Sequence, residues 1–477
     1  MTTPWSLRIP PELMDQLAGH LFPGDGDEHG AVIAAGMVET SRGVRLLARD
    51  LVVANDGVDY VPGKRGYRML TASFVTENIL RCAEDRLAYL AIHCHGGRDS
   101  VGFSGDDFAS HERGYPALLD LADGLPVGAL VFASGAIAGD IWLPGGRRAV
   151  LEHARVAGRP QRYLQAQPSQ RTAAGAAYDR QARLFGDRGQ EILRHQKVGV
   201  IGAGGAGSLI VEYLARLGVG HLVVVDPERI ELSNIPRVAG STRRDAMTWL
   251  TASSRPARIR QLGQRLARRK THIAARVARQ ANPAIVVEKI IGDVADDSVA
   301  LRLADCDFLF LAADSMRSRL VFNALVHQYL IPGAQVGAKV TTDKTTGEIL
   351  DVFSVYRPVM PGIGCLWCNG LISPARLQEE ALTDSERRGQ GYIEESTIHA
   401  PSVITLNAVA CAHAVDDYLF SLTGLLAAGT SNAYRRFLPR EADFMLDEPR
   451  RDPDCTECSA GPMGRLGAGS SMRLPTR

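Results

Sequence analysis

A glycine-rich turn between a strand-like run and a helix-like run is the feature that most constrains this chain. Residues 197–201 are apolar, 202–208 read GAGGAGS, and 209–218 have the apolar period of a helix. Glycine lets the backbone approach phosphate oxygens, and a helix N-terminus offers free N–H groups and the positive end of its dipole. The pattern predicts a phosphate-binding turn made by four glycines: Gly202, Gly204, Gly205 and Gly207.

Strand-like runs alternate with helical segments through the second half, which predicts an α/β fold with a mostly parallel sheet covered by helices. Asp226 closes the run after the turn, 24 residues beyond Gly202. An acidic side chain at that place can accept a hydrogen bond from a ribose hydroxyl. Up to this point the pattern is equally typical of a NAD-dependent enzyme. The runs are 197–201, 221–225, 285–291 and 307–311.

Two flanking motifs change that interpretation. Tyr178-x-Arg180-Gln181 precedes the turn, and Asn234-x-x-Arg237 follows Asp226. In this order the motifs resemble the ubiquitin-activating superfamily in its bacterial ThiF/MoeB/HesA form, from Tyr178 to about Ser459. The resemblance implies a Rossmann-like, doubly wound domain that adenylates a carboxylate with ATP and Mg²⁺.

The same resemblance assigns roles to single residues. Adenylation brings a carboxylate against the α-phosphate of ATP, so cations and oriented donors carry the catalysis. Asn234 and Arg237 would reach the phosphates, and Asp314, which ends the run DFLFLAAD, would hold Mg²⁺. The alternative for Asp314 is a helix N-cap before Ser315. Arg180 would be supplied to the partner subunit's ATP, which implies a homodimer.

One departure from the family pattern concerns the phosphate-binding lysine. The candidate, Lys270, comes 36 residues after Asn234, so an insertion intervenes; Arg268 or Arg269 could replace it. The span 243–270 holds eight arginines and one lysine against one acid, Asp245. It is interpreted as a solvated helix face, a mobile cover over the ATP phosphates or a site for an acidic protein partner.

Cysteine usage indicates a metal site. Of eight cysteines, four occur as two Cys-x-x-Cys pairs, the donor set of a tetrahedral structural zinc. Redox pairing is the alternative. The ThiF/MoeB resemblance also implies a C-terminal zinc knuckle at these positions: Cys365, Cys368, Cys455 and Cys458.

The remaining cysteines provide no obvious thioester nucleophile. Activating enzymes of this superfamily usually carry a Cys before the helix that here begins near residue 399, and residues 376–402 contain none. Ser396 or Thr397 could accept the acyl group instead. The other four cysteines are expected to pack in cores: Cys82, Cys94, Cys306 and Cys411.

The first half carries a second metal pattern. His93 and His95 end an apolar run, and alternate residues on a strand share a face, so both imidazoles can converge on one metal. Ser104 and Asp107 follow. Together these residues resemble the JAMM/MPN zinc metalloprotease family, with a cytidine-deaminase-like α/β fold, over residues 17–155. The loop after the second His is one residue longer than usual and lacks the common Pro.

The JAMM/MPN resemblance implies the site's chemistry. Two His and Asp107 leave the fourth position of a catalytic Zn²⁺ open for water, and an upstream Glu28 would accept its proton. Ser104 would stabilise the oxyanion. Asp106 is a fallback ligand, and Glu39 is a rival for the base. Cys94, on the opposite strand face, would pack.

Composition bounds the remaining possibilities. A net charge of +1 over 477 residues excludes a global field for nucleic acid or anionic lipid. No apolar run is long enough for a spanning helix and no secretion signal is visible, so a cytoplasmic protein is expected. Residues 1–157 are predicted as the metalloprotease domain, 158–177 as a linker, 178–458 as the adenylating domain and 459–477 as a disordered tail.

Both resemblances concern ubiquitin-like proteins. The leading hypothesis is a bifunctional enzyme that adenylates the C-terminal glycine of a ubiquitin-like β-grasp protein and hydrolyses the peptide or isopeptide bond after that terminus. The runner-up is activation of a sulfur carrier for cofactor, cysteine or tRNA thiolation. The third is an ATP-sensing dimeric scaffold with inactive sites. A conjugating enzyme or a sulfurtransferase is a further candidate partner.

Overall fold

The computed structural model describes residues 3–62, 68–168, 173–343, 346–382, 401–427 and 429–477. The chain divides into two units. Unit 1 comprises Met1–Arg171, His327–Leu330 and Pro453–Arg473. Unit 2 comprises Thr172–Val326, Ile331–Asp452 and Leu474–Arg477.

Unit 1 is built on an eight-stranded mixed sheet, in which β1 pairs with both β3 and β7 and so closes the sheet on itself. Alternate residues of each strand face two cores. One core contains α1, and the other contains α2 and α3. The elements are β1 (Trp5–Ile9), α1 (Pro11–Leu21), β2 (Gly30–Thr40), β3 (Gly43–Val53), α2 (Ala72–Glu84), β4 (Ala88–Cys94), α3 (Gly105–Leu121), β5 (Val127–Phe132), β6 (Ile137–Leu143), β7 (Arg147–Val156) and β8 (Arg162–Leu164).

Two predicted boundaries differ from the structure. The expected linker 158–177 begins within the sheet, because β8 pairs antiparallel with β7. The expected disordered tail is ordered along its described length. Its backbone is hydrogen-bonded, for example from Ser470 N to Met37 O at 2.8 Å and from Arg477 N to Ala295 O at 2.9 Å. Glycine and serine content suggested disorder, but backbone hydrogen bonds and burial of Leu466 order the segment.

Unit 2 contains a second eight-stranded sheet, of strand order β11-β10-β9-β12-β13-β14-β15-β16. Its first five strands are parallel, as predicted, and β14, β15 and β16 add an antiparallel edge that was not predicted. The strands are β9 (Lys197–Ile201), β10 (His221–Val225), β11 (Val286–Ile290), β12 (Phe308–Leu311), β13 (Gly333–Thr342), β14 (Ile349–Val359), β15 (Tyr434–Leu438) and β16 (Asp443–Asp447).

The chain order reverses between β9 and β12, since β10 and β11 lie on one side of β9 and β12 and β13 on the other. Ligands of open α/β sheets bind in the crevice at such a switch point. The helices are α4 (Asp179–His195), α5 (Gly205–Leu217), α6 (Thr248–Thr251), α7 (Ala257–Leu266), α8 (Lys270–Ala281), α9 (Asp297–Ala300), α10 (Met316–Gln328), α11 (Pro374–Ala381) and α12 (Ile404–Thr423).

Within the described ranges, no helix has the length and apolar character to cross a membrane.

Candidate functional site

The register of two strands assembles the histidine site of unit 1. Gly30 of β2 pairs antiparallel with His93 of β4. Two residues beyond the Gly30–His93 pair, the same register brings Glu28 opposite His95, and Glu28 Oε1 lies 3.7 Å from His95 Nε2. Cys94 faces the other core, as predicted from the alternation of the strand.

Asp107, in the first turn of α3, completes the cluster. Its Oδ1 lies 3.4 Å from His93 Nε2 and its Oδ2 lies 3.5 Å from His95 Nε2. One donor atom from each of these three residues falls within 4.8 Å of the others. His93 Nε2 is buried and makes no hydrogen bond within the described residues, which fits a nitrogen that coordinates a metal.

The carboxylates of this cluster have opposite pKa shifts. Burial raises the pKa of Glu28, although His95 and His93 oppose the shift. Burial would also raise the pKa of Asp107, but the contact with His93 and hydrogen bonds from Ser104 outweigh it, so that pKa falls well below its usual range. Glu28 is therefore the better proton acceptor, and Asp107 the better anionic ligand.

Ser104 is the N-cap of α3. Its hydroxyl accepts from Asp107 N at 3.1 Å and its backbone N–H donates to Asp107 Oδ2 at 2.7 Å, a reciprocal capping box. The hydroxyl also donates to Asp107 Oδ2 at 2.8 Å. In this arrangement Ser104 holds the aspartate in place, and its predicted oxyanion role stays a prediction. Asp106 is exposed in the same helical turn. Glu39 is excluded as the base, because it lies nine residues along β2 from Gly30, roughly 30 Å away.

Sequence reasoning missed a buried polar network behind this site. His111 Nδ1 lies 3.0 Å from Asp140 Oδ2, and the indole N–H of Trp142 donates to the same oxygen at 3.0 Å. Arg148 donates to both oxygens of Asp140. His111 is 29 residues from Asp140 and the four residues share no motif spacing, so only the pairing of β6 with β7 and the packing of α3 could reveal the network.

In unit 2, the glycine turn has the close packing that requires glycine. Gly202 has a φ of +92°, and a Cβ added to Gly207 would lie 1.8 Å from Gly202 O. Gly204 is open, with nothing within 4 Å of a Cβ there. The turn therefore has a packed side and an accessible side, and the accessible side can receive a ligand.

Asp226 braces the turn from the end of β10. The buried carboxylate accepts from Ala203 N at 2.7 Å and from Glu228 N at 2.8 Å. Burial raises its pKa, although these bonds and the positive charge of Lys270 oppose the shift. Each oxygen retains a second lone pair, so the predicted bond to a ribose is compatible with this bracing role.

Arg237 lies beside the turn, as its motif predicted. A Cβ on Gly205 would lie 3.4 Å from Arg237 Cδ and 2.6 Å from Asn407 Nδ2. Asn234 is buried, and its Oδ1 accepts from Glu231 N at 3.2 Å, which holds the 3-10 turn Leu232–Asn234. Asn407 of α12 was missed, because no spacing in the sequence connects it to the glycine motif.

The structure separates the three candidates for the phosphate-binding cation. The Lys270 ammonium forms an ion pair with Glu228 and interacts electrostatically with Asp226. Arg268 instead forms an ion pair with Asp245 at 3.0 Å, and Arg269 donates to Pro227 O at 2.6 Å. Lys270 is thus the candidate that is close to the residue bracing the turn.

Asp314 follows β12 at the other side of the switch point. The N-cap interpretation of Asp314 is wrong, because the Ser315 hydroxyl accepts the capping bond from Ser318 N at 3.0 Å. Asp314 is exposed and forms no hydrogen bond or ion pair within the part of the chain that the structure describes. Its carboxylate oxygens are therefore available to a cation.

The Tyr178-x-Arg180-Gln181 segment is anchored by its outer residues. The ring of Tyr178 packs against Gly218, and Gln181 donates to Leu217 O at 2.9 Å. Arg180 between them is exposed at the start of α4, and it has no hydrogen bond or ion pair with any described residue. An anchored segment that presents an unpaired guanidinium to solvent can supply it to another molecule.

The basic span 243–270 forms helices α6 and α7. These two helices pack closely against each other, because a Cβ on Gly263 of α7 would lie 2.7 Å from Leu250 Cβ of α6. A small core beneath the span includes Ile230 and Ile273. An exposed helix face is therefore present, as one of the interpretations expected.

Comparison with known proteins assigns this unit. The ThiF family profile matches residues 178–428, more than half of the chain. The chain belongs to the ThiF family. It is 29% identical over 199 residues to the sulfur carrier protein ThiS adenylyltransferase of Bacillus subtilis, covering 41% of this chain and 54% of that protein.

The ThiF region has other relatives. It is 32% identical over 138 residues to the SAMP-activating enzyme E1 of Haloferax volcanii, covering 29% of this chain and 44% of that protein. The crystal structure of E. coli MccB with ATP aligns with 60% of this chain and 75% of its own at 18% identity and a TM-score of 0.45. The chain spans about half the length of the curated relatives it matches.

The Cys365-x-x-Cys368 pair of unit 2 has the geometry of two ligands of one metal. Cys365 Sγ is 3.5 Å from Cys368 Sγ. Two thiolates bound to one zinc at about 2.3 Å lie about 3.8 Å apart, so this pair fits a tetrahedral zinc site. Cys455 and Cys458 are buried in unit 1.

The other four cysteines are buried, as predicted: Cys82, Cys94, Cys306 and Cys411. Cys411 of α12 lies in the main core of the ThiF region, where burial raises its pKa far above the usual range. A buried neutral thiol is a poor nucleophile. Ser396 and Thr397, the hydroxyl alternatives, lie outside the described residues.

Proposed function

We propose that the ThiF region activates the C-terminal carboxylate of a ubiquitin-like β-grasp protein as an acyl adenylate. The carboxylate oxygen attacks the α-phosphorus of ATP, and pyrophosphate leaves. The single observation that carries this proposal is the placement of Asp314 and Arg237 around an open glycine turn at the sheet's switch point.

Each residue has a role that follows from its position. Backbone N–H groups at the start of α5 and the guanidinium of Arg237 would neutralise the phosphates as charge develops on them. Lys270 would exchange Glu228 for a phosphate oxygen. Asp314 would hold Mg²⁺, which supplies positive charge to the phosphates when bound. Asp226 would orient the ribose.

Activation of a sulfur carrier is the second candidate. It is favoured by the burial of Cys411 and by the absence of any exposed cysteine among the described residues, because attack on an adenylate by an external persulfide needs no enzyme thiol. The similarity to a ThiS adenylyltransferase supports the same alternative. A sulfurtransferase would then be a partner, and a conjugating enzyme would be one in protein modification.

The adenylation proposal is tested by ATP–pyrophosphate exchange in the presence of a candidate β-grasp protein. Exchange should occur with the wild type and fall by about 10² to 10³-fold in Asp314→Ala. Ser315→Ala, which removes the neighbouring cap, should retain most of the exchange. Full exchange in Asp314→Ala would refute the assignment, and absence of exchange with bound ATP would favour the nucleotide-sensing scaffold.

A second activity is proposed for unit 1: hydrolysis of the peptide or isopeptide bond after the β-grasp terminus. His93, His95 and Asp107 would hold a zinc ion, which supplies Lewis acidity when bound. Glu28 would take a proton from the attacking water and deliver it to the leaving amine. The Glu28–His95 contact is the observation that favours this function.

Two further proposals complete the assignment. The four cysteines of the two Cys-x-x-Cys pairs would bind a structural zinc, a site that needs no open coordination position. Arg180 would act on the nucleotide of a second copy of the chain in a homodimer, which accounts for an exposed cation between two anchored residues.

A further inference from the structure

A cavity of about 430 Å³ lies along α8 in unit 2, outside the nucleotide site. Four cations line it: Arg268, Arg276, Arg279 and Lys289, and His272 is a fifth lining residue. Among the described residues, no acidic side chain belongs to its lining. A concave surface with one sign of charge focuses the field and attracts counter-ions.

Part of this charge is balanced by one buried carboxylate. Arg276 donates to Asp245 Oδ1 at 2.9 Å and to Oδ2 at 2.8 Å, and Arg268 Nε lies 3.0 Å from Oδ1. The Thr242 hydroxyl also donates to Oδ2 at 2.8 Å. One carboxylate is thus shared by two guanidiniums, and it offsets only one of them.

The other two cations have no carboxylate partner among the described residues. Arg279 reaches only Val287 O, at 3.4 Å. Lys289 is exposed, and its neighbour Glu288 points to the opposite face of β11, where it pairs with Arg302. With His272 neutral, the cavity carries a surplus of three positive charges.

The pKa of His272 reflects the positive electrostatic potential of the cavity. Burial lowers its pKa, and the positive charges of Lys289, Arg268, Arg269 and Arg229 lower it further. The nearby charges that act on this ring are therefore cationic, from β11 and from the segments that precede α8.

We propose that this cavity binds a compact polyphosphate anion. Guanidinium groups match phosphate oxygens bidentately, and cations that converge in one concavity suit a small ion of high charge density better than an extended acidic segment. The site is distinct from the nucleotide site. Lys270 is buried against Glu228, whereas His272, Arg276 and Arg279 follow one helical stripe.

The test is isothermal titration of the full chain with sodium pyrophosphate. Lys289→Glu should weaken binding at the cavity at least about tenfold, since a charged hydrogen bond is replaced by repulsion. Arg279→Glu should do the same. The matched control is Arg258→Glu, since Arg258 is an exposed arginine of α7 within the same basic span and has no ion pair with any residue that the structure describes. It has the same charge change and should alter affinity less than about twofold.

Arg237→Ala separates this site from the glycine turn, because the binding component lost in Lys289→Glu should persist in it. Equal weakening by Arg258→Glu and Lys289→Glu would overturn the proposal, as would no pyrophosphate binding by the wild type. Binding of a hexaglutamate peptide without pyrophosphate binding would also overturn it and would assign the cavity to an acidic protein segment. The outcome does not depend on adenylation.

Discussion

His95 Nε2 lies 3.7 Å from Glu28 Oε1, although 67 residues separate them in the chain. Antiparallel pairing of β2 with β4 creates this contact, because Gly30 lies opposite His93. A base held beside the ligands of a metal can act on the water that the metal polarises, whereas a histidine pair alone has no such partner.

The Glu28→Gln substitution should therefore separate binding from chemistry. The amide keeps the size of the carboxylate but cannot accept a proton at neutral pH, so cleavage of a β-grasp precursor should fall at least about 10²-fold. Zinc content, measured by atomic emission, should be unchanged. His95→Ala should lose the zinc of unit 1 and also lose cleavage. Undiminished cleavage in either variant would contradict the hydrolase proposal.

Two alanine substitutions should distinguish the two sides of the glycine turn. A Cβ on Gly207 would meet Gly202 O at 1.8 Å, so Gly207→Ala should lower the thermal midpoint and reduce soluble yield. Gly204→Ala meets nothing within 4 Å and should fold, but its methyl group would occupy the accessible side. We expect weaker ATP binding by Gly204→Ala in fluorescence titration. Wild-type affinity with Gly204→Ala would count against phosphate binding at this turn.

Arg180→Ala and Asp314→Ala test whether a second copy completes the nucleotide site. Each variant alone should be inactive in pyrophosphate exchange. After mixing and equilibration, dimers with one copy of each variant retain one complete site, so about a quarter of wild-type activity should return. No recovery on mixing, with dimers verified by light scattering, would argue that Arg180 acts within its own chain or not at all.

Asp245→Asn should destabilise unit 2 in a pH-dependent manner. Burial would raise the pKa of Asp245, but hydrogen bonds and charge from Arg276, with Thr242, lower it below its ordinary value near 3.8. A carboxyl whose folded pKa is lowered contributes stability above the unfolded pKa and loses it as pH falls through the folded pKa. The substitution should cost about 2 kcal/mol at pH 7 and progressively less below about pH 4 in denaturant titrations. A constant difference across this range would show that packing, not charge, causes the loss.

Zinc stoichiometry tests the proposed four-cysteine zinc site independently. The wild type should contain two zinc ions per chain, and Cys455→Ser should contain one, because three thiolates and a hydroxyl hold zinc poorly. Cys411→Ser is the matched control, since this buried cysteine belongs to neither Cys-x-x-Cys pair. It should retain both ions, and an unchanged zinc content in Cys455→Ser would refute a four-cysteine site.

Local pattern was sufficient where a few neighbouring residues decide the outcome. The apolar runs at 197–201 and 221–225 became β9 and β10 at those bounds. The same holds for the histidines at the end of β4 and the turn that requires Gly202, because strand period and glycine conformation are properties of adjacent residues. Local pattern gave the wrong prediction for the tail, because Ser470 is ordered by a backbone hydrogen bond to Met37, more than 400 residues away.

The sequence by itself determined the ThiF motifs, the two sets of metal-ligand types and an anomalous basic span. Tertiary structure alone decided that Lys270 faces Asp226 while Arg268 lines a separate cavity, that Ser315 and not Asp314 caps α10, and that Asp140 forms a buried network with His111. Residue identity sets which bonds a side chain can form. Which bond it does form depends on strand register and helix packing, and these bring together residues whose separation along the chain carries no signal.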